Sequence, residues 1–115
     1  MVVRERHSSD ELWRRVRGLE GQIVYTLKRR EPNAIENVTD NTIVIRDRRS
    51  RPSRESVEEV YNRVWADGEF RVYEGRQGVY VDAVVPAIVL AAAPEQLERV
   101  DDGGLTGIRL RRAQP

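Results

Sequence analysis

The alternation of apolar and polar positions divides the chain into short elements. Leu12, Trp13, Val16 and Leu19 recur at helical spacing with Arg14, Arg15 and Arg17 on the opposite face, which predicts an amphipathic helix beginning near Ser8. Ser8 and Glu11 stand at capping-box spacing, Asp10 and Glu11 suit the positive end of the helix dipole, and Gly18 and Gly21 end the run. The period then shortens. Gln22–Leu27, Ala34–Val38 and Thr42–Arg46 are rich in β-branched and aromatic residues, separated by turn chemistry at Lys28–Asn33 and at Asp40-Asn41. Three such segments joined by short turns predict an antiparallel meander.

Farther along, Val57, Val60, Tyr61, Val64 and Trp65 fall at i, i+3, i+4, i+7 and i+8, a second amphipathic helix launched by Pro52 and Ser53 and closed by Asp67-Gly68. Glu69–Tyr73 reads as a short extended piece and Glu74–Gly78 as a loop. Val79, Val81 and Ala83 alternate like a strand, whereas Ala87–Ala93 is built of helix formers with Pro86 suited to a first turn. The preferred reading is a buried helix ending at Pro94, with Val79–Pro86 open between helix and strand. Glu95–Asp102 is an acidic stretch, Gly103-Gly104 a turn, and Leu105–Arg112 a closing strand. The expectation is one α+β domain over residues 1–115, frayed at 1–7 and 113–115: an N-terminal helix, a three-stranded antiparallel meander, two further helices and a short closing strand.

Composition narrows the chemistry. The chain has 115 residues, of which 39% are hydrophobic and 34% charged, against ~25% charged in an average domain. Its net charge of +1 excludes both a highly basic tail and an acidic disordered chain. With no cysteine there is no thiol nucleophile, disulfide or cysteine-based zinc site, and His7, the only histidine, cannot build a two-histidine metal site. His7 itself reads as an exposed or weakly capping residue. Ser50 and Ser53 lack a histidine partner, Asp40 and Asp47 lack the converging lysine of a metal-dependent nuclease, and no glycine-rich phosphate loop is present. No catalytic residue, metal or cofactor is therefore expected. The first residues carry no apolar leader, and the apolar stretch Ala83–Ala93 is far shorter than the ~20 residues that span a bilayer, so a cytoplasmic location is expected.

The distribution of charge says more than its sum. Of the 20 basic residues only Lys28 is a lysine, and although GC-rich coding alone produces such a bias, arginine also holds phosphate bidentately. Arg46, Arg48, Arg49, Arg51 and Arg54 crowd a segment whose one acidic residue is Asp47, and Lys28, Arg29 and Arg30 occupy the first hairpin turn. In a meander, the turn after the first strand and the exit of the third lie at the same end of the sheet, so the two clusters can converge into a phosphate-binding patch. Ser50 and Ser53 can add neutral phosphate contacts; Arg71 and Arg76 are secondary candidates. Backbone contacts alone bring affinity without sequence readout. Trp13, Tyr61 and Trp65 belong to the core by their spacing, whereas Tyr25, Tyr73 and Tyr80 sit in segments that can expose alternate side chains. A competing reading is a protein-interaction module, a homodimer for example, that uses the apolar Val84–Ala93 helix as its contact.

The order of these pieces is also familiar. Gly21–Leu27, Pro32–Val38, Thr42–Ile45, the Val57–Trp65 helix ending in Asp67-Gly68-Glu69-Phe70, and Val85–Pro94 together resemble a small winged-helix-like module found beside HNH and other restriction-type nuclease domains, mainly in bacteria. The resemblance spans Gly21 to Pro94. It implies a DNA-binding accessory domain whose chemistry is supplied by another domain. Where that module starts its last helix with an Arg-Ser-type polar segment, this chain has Gly78-Val79-Tyr80-Val81-Asp82, which moves the expected DNA contact to the loop arginines and Arg76.

Overall fold

The computed structural model describes residues 5–72, 82–103 and 105–111. Helix α1 covers Ser9–Arg17. Ser8 caps it by accepting a hydrogen bond from the Glu11 amide, but the Glu11 carboxylate turns outward to Arg14 and Arg15, so only half of the expected capping box forms. Leu12, Trp13 and Val16 face inward.

Strands β1 (Ile23–Tyr25), β2 (Pro32–Val38) and β3 (Ile43–Ile45) form the antiparallel meander, in spatial order β1-β2-β3. Ile23 pairs with Ala34 and Tyr25 with Pro32; across β2, Ile35 pairs with Ile45 and Val38 with Ile43. After β3 the chain makes an excursion and then runs back alongside it. The Ile43 amide donates to the Pro52 carbonyl, Thr42 bridges Ser53, and the Arg54 amide reaches the Asn41 carbonyl. Ser53 then caps α2 (Arg54–Asp67) through the Ser56 amide. Gly68 closes that helix at φ 86°, a left-handed conformation that glycine adopts without a Cβ penalty.

The second half holds a sheet that hydropathy alone does not disclose. Strands β4 (Glu69–Arg71), β5 (Leu97–Asp102) and β6 (Leu105–Leu110) pair antiparallel in the order β4-β6-β5. The acidic stretch after Pro94 is therefore a strand, and the expected closing strand is the central one. Four of the six residues of β5 can be charged because only Leu97 and Val100 of the strand face the core. At β6, Gly107 is required by proximity: a Cβ there would stand 2.1 Å from the Phe70 carbonyl oxygen of β4.

Between the two sheets runs α3 (Val84–Ala92). It packs on α1, α2, β1 and the second sheet, and so is apolar on nearly every side, as an enclosed helix must be. Val84 to Val89, Ala92 and Ala93 are buried, which leaves only Leu90 and Ala91 partly open to solvent. Burying each such Val or Ile contributes about 1.5–3 kcal/mol. The helix proposed as a partner contact is thus consumed largely by the domain's own core. Of the expected stretch Val79–Pro86, residues from Asp82 onward lead into and form α3; the earlier ones, with the Glu74–Gly78 loop, lie outside the described residues. No described helix is long and apolar enough to cross a membrane.

Candidate nucleic-acid interface

The two basic clusters leave the first sheet at the same end. The β1–β2 turn follows Tyr25, paired with Pro32, and the chain departs β3 where the Arg46 amide donates to the Ala34 carbonyl, two residues along β2. Asn33 joins them. Its side-chain amide donates to the Glu31 carbonyl at 3.1 Å, and its Oδ1 accepts from Arg48 at 3.3 Å. Asparagine is a poor strand former, and here it is 8% exposed with both amide ends used. Arg48 also contacts Ser50 Oγ at 3.3 Å and pairs with Asp82, whose other oxygen accepts from the Val84 amide at the start of α3. Arg48 is therefore a structural tie between the excursion and α3. A third brace comes from the second sheet: Arg99 donates to the Leu27 carbonyl at 3.0 and 3.2 Å, fixing the entry to the turn. Asn33, Asp82 and Arg99 were not legible as parts of this neighbourhood, since each acts across a large separation in sequence.

With these braces in place, the side chains of Lys28, Arg29, Arg30, Arg49 and Arg51 are all exposed. Among the described residues none of the five forms an ion pair with a carboxylate. Arg30, held at φ 57°, lays its guanidinium over the Tyr25 ring, 5.5 Å from the centroid. Arg46 is exposed but pairs with Glu36 at 3.3 Å. Glu31 and Asp47 share this end, yet the cations outnumber them, so the local field is positive.

Arg54 does not join the cluster. The return of the chain along β3 carries it to the Asn41 end, where it begins α2. It bonds Ser9 and Asp10, each at 2.9 Å, pairs with Glu58 at 3.5 Å, and lies 5.5 Å over the Trp13 ring. An arginine so held is a clasp between α1 and α2 rather than an open phosphate ligand. Ser53 is spent on the α2 cap, and Arg71 donates to Glu69 and to the Leu105 carbonyl. Arg76, with Tyr73 and Tyr80, lies outside the described residues.

His7 also differs from its expectation. It is half-buried, stacked on Tyr61 with ring centroids 6.3 Å apart, and its Nε2 meets Glu95 at 2.9 Å. Tyr61 accepts from the His7 amide and donates to Gln96, which in turn donates to the Glu5 carbonyl, so the N-terminal segment is strapped to α2 and to the approach of β5. Partial burial pushes the Glu95 carboxyl up, but the His7 hydrogen bond, its own backbone and the charges of Arg15 and His7 outweigh this and hold it below the ordinary carboxylate value. Burial keeps the Tyr61 hydroxyl above its ordinary value. Among the described residues no group of three or more His, Asp or Glu side chains could hold a metal ion.

Comparison of the chain with family models, with characterised proteins and with solved structures finds no match.

Proposed function

We propose that this chain is a non-catalytic DNA-binding module that grips the phosphate backbone through the cationic end of its first sheet. One observation carries the reading: Lys28, Arg29 and Arg30 in the β1–β2 turn, and Arg49 and Arg51 in the excursion after β3, are exposed and have no carboxylate partners among the described residues, while most other described arginines are paired. Unpaired guanidinium and ammonium groups on a rigid frame exchange condensed counterions for contacts to phosphate. The resemblance of Gly21–Pro94 to nuclease-associated winged-helix-like modules supports the same class, with the arginine-bearing excursion taking the place of a groove-facing helix.

Five phosphate contacts imply a slope of log K against log salt of about −4.5, or a loss of roughly 10²- to 10³-fold in affinity between 50 and 200 mM salt. Fluorescence anisotropy with a labelled 20-base-pair duplex, titrated at both concentrations, measures this directly. Absent binding at 50 mM, or binding indifferent to salt, overturns the proposal.

A further inference from the structure

The cationic end borders an apolar groove. Between β1 and α3 lies a concavity of about 200 Å³ whose walls include Ile23, Tyr25, Leu27, Arg30, Leu90 and Ala91. It is smaller than the ~300–1,000 Å³ that encloses a whole small molecule, and too slight to seat a helix, but its walls are apolar and one lip is cationic. Ile23 is 55% and Tyr25 46% exposed, the two most exposed large apolar side chains among the described residues. They share the outward face of β1, since the intervening Val24 is buried. A core does not need them there.

From this juxtaposition we infer that the groove takes an unpaired base of single-stranded DNA, stacked against Tyr25 and Ile23, while Lys28 and Arg29 hold the flanking phosphates. The inference rests on the DNA-binding reading above and narrows it to strands whose bases are free. The chemistry matches in both halves. A nucleobase offers a flat apolar face and a π-system to an aromatic ring that already attracts the Arg30 guanidinium, and its phosphates lie one sugar away, while Lys28 and Arg29 stand exposed in the turn that follows Tyr25. In a duplex the bases are stacked on one another and show no face to the groove. An acidic peptide would satisfy the cations, but would bring no planar group to the ring.

The test compares three labelled 12-nucleotide ligands at 50 mM salt: oligo(dT), an abasic strand with the same phosphates, and a duplex. Oligo(dT) should bind tightest. Tyr25→Ala should weaken it by about 5- to 100-fold, the range for loss of one stacked base, down to the level of the abasic strand. Tyr25→Phe, which keeps the ring, should bind like the parent. Both substitutions are at an exposed position, and equal urea midpoints establish that the fold is kept. Three results overturn the inference. If Tyr25→Ala leaves oligo(dT) binding unchanged while Lys28→Gln/Arg29→Gln weakens it, the chain binds phosphates without stacking, and the DNA-binding reading survives alone. If none of the three ligands binds, both readings fall. If the protein sediments as a dimer that Tyr25→Ala dissociates, with no change in oligonucleotide binding, the occupant of the groove is a second copy.

Discussion

The two sheets of this domain spend their arginines in opposite ways. In the second sheet and just past its end every described arginine has a carboxylate: Arg71 meets Glu69, Arg99 meets Asp101, and Arg109 and Arg111 share Glu98. Arg109 and Glu98 are direct cross-strand partners, the arrangement in which opposite charges support a β-ladder by some tenths of a kcal/mol. In the first sheet's β1–β2 turn and the excursion after β3, by contrast, Lys28, Arg29, Arg30, Arg49 and Arg51 are exposed with no carboxylate partner among the described residues. Equal numbers of acids and bases in a composition therefore say nothing about where a field survives. A strand puts acids and arginines side by side, across the ladder as for Glu98 and Arg109 or two residues apart on one face as for Glu69 and Arg71, and so cancels them; irregular chain leaves them where the sequence put them.

Breaking the second sheet should give the largest effect. Gly107→Ala drives a methyl group into the Phe70 carbonyl and the Arg71 backbone, so β4 must leave β6. A loss of about 3 kcal/mol or more is expected, read as a lower urea midpoint. Amide exchange should quicken first across β4–β6, with β1–β3 less affected. Uniform exchange at all sites would show instead that the sheets open as one unit.

Matched neutralisations of unpaired and paired cations sharpen the contrast at intermediate size. Lys28→Gln/Arg29→Gln should cost about tenfold or more in DNA affinity at 50 mM salt and flatten the salt slope by about two. The same change at Arg109→Gln/Arg63→Gln, where both cations are already engaged by Glu98 and Glu59, should leave affinity within about twofold. Its effect is on stability, and as these are surface pairs it should stay below about 1 kcal/mol each. Equal losses from both doubles would mean that only net charge matters, and the comparison would fail.

The smallest effect is a titration on the paired side. Because the folded state holds Glu95 below the ordinary carboxylate value of 4.5, its contribution is complete above that pH and is lost as pH falls through the lowered folded value. Glu95→Gln should therefore show a smaller drop in urea midpoint between pH 7 and pH 3.5 than the parent. An identical drop would remove Glu95, and the strap it makes with His7 and Arg15, from the account of acid sensitivity.

Much of the architecture was legible before any coordinates. The caps at Ser8 and Ser53, the helical spacing of Val57–Trp65, the Gly68 stop and the meander all depend on interactions between residues near in sequence, and local pattern encodes them. Legibility failed where contacts are long-range. The strand after Pro94 looked merely acidic, because a strand with one face in solvent needs few apolar residues once a partner supplies the ladder. His7 looked exposed, since nothing nearby announces Tyr61 and Glu95. At the candidate site, the departure of the two basic segments from one end of the sheet followed from meander topology alone. The exclusion of Arg54 did not, because it depends on the chain doubling back along β3.

By itself, the amino-acid sequence determined the α+β class, the positions of the helices and meander, the absence of thiol and two-histidine chemistry, and the local surplus of arginine in two turns. Only the tertiary structure decided which of those arginines stay free. The reason is physical: a charge is cancelled by whatever carboxylate packing brings within a few ångströms, and Asp82 for Arg48, Asp10 for Arg54 and Glu36 for Arg46 all come from other elements.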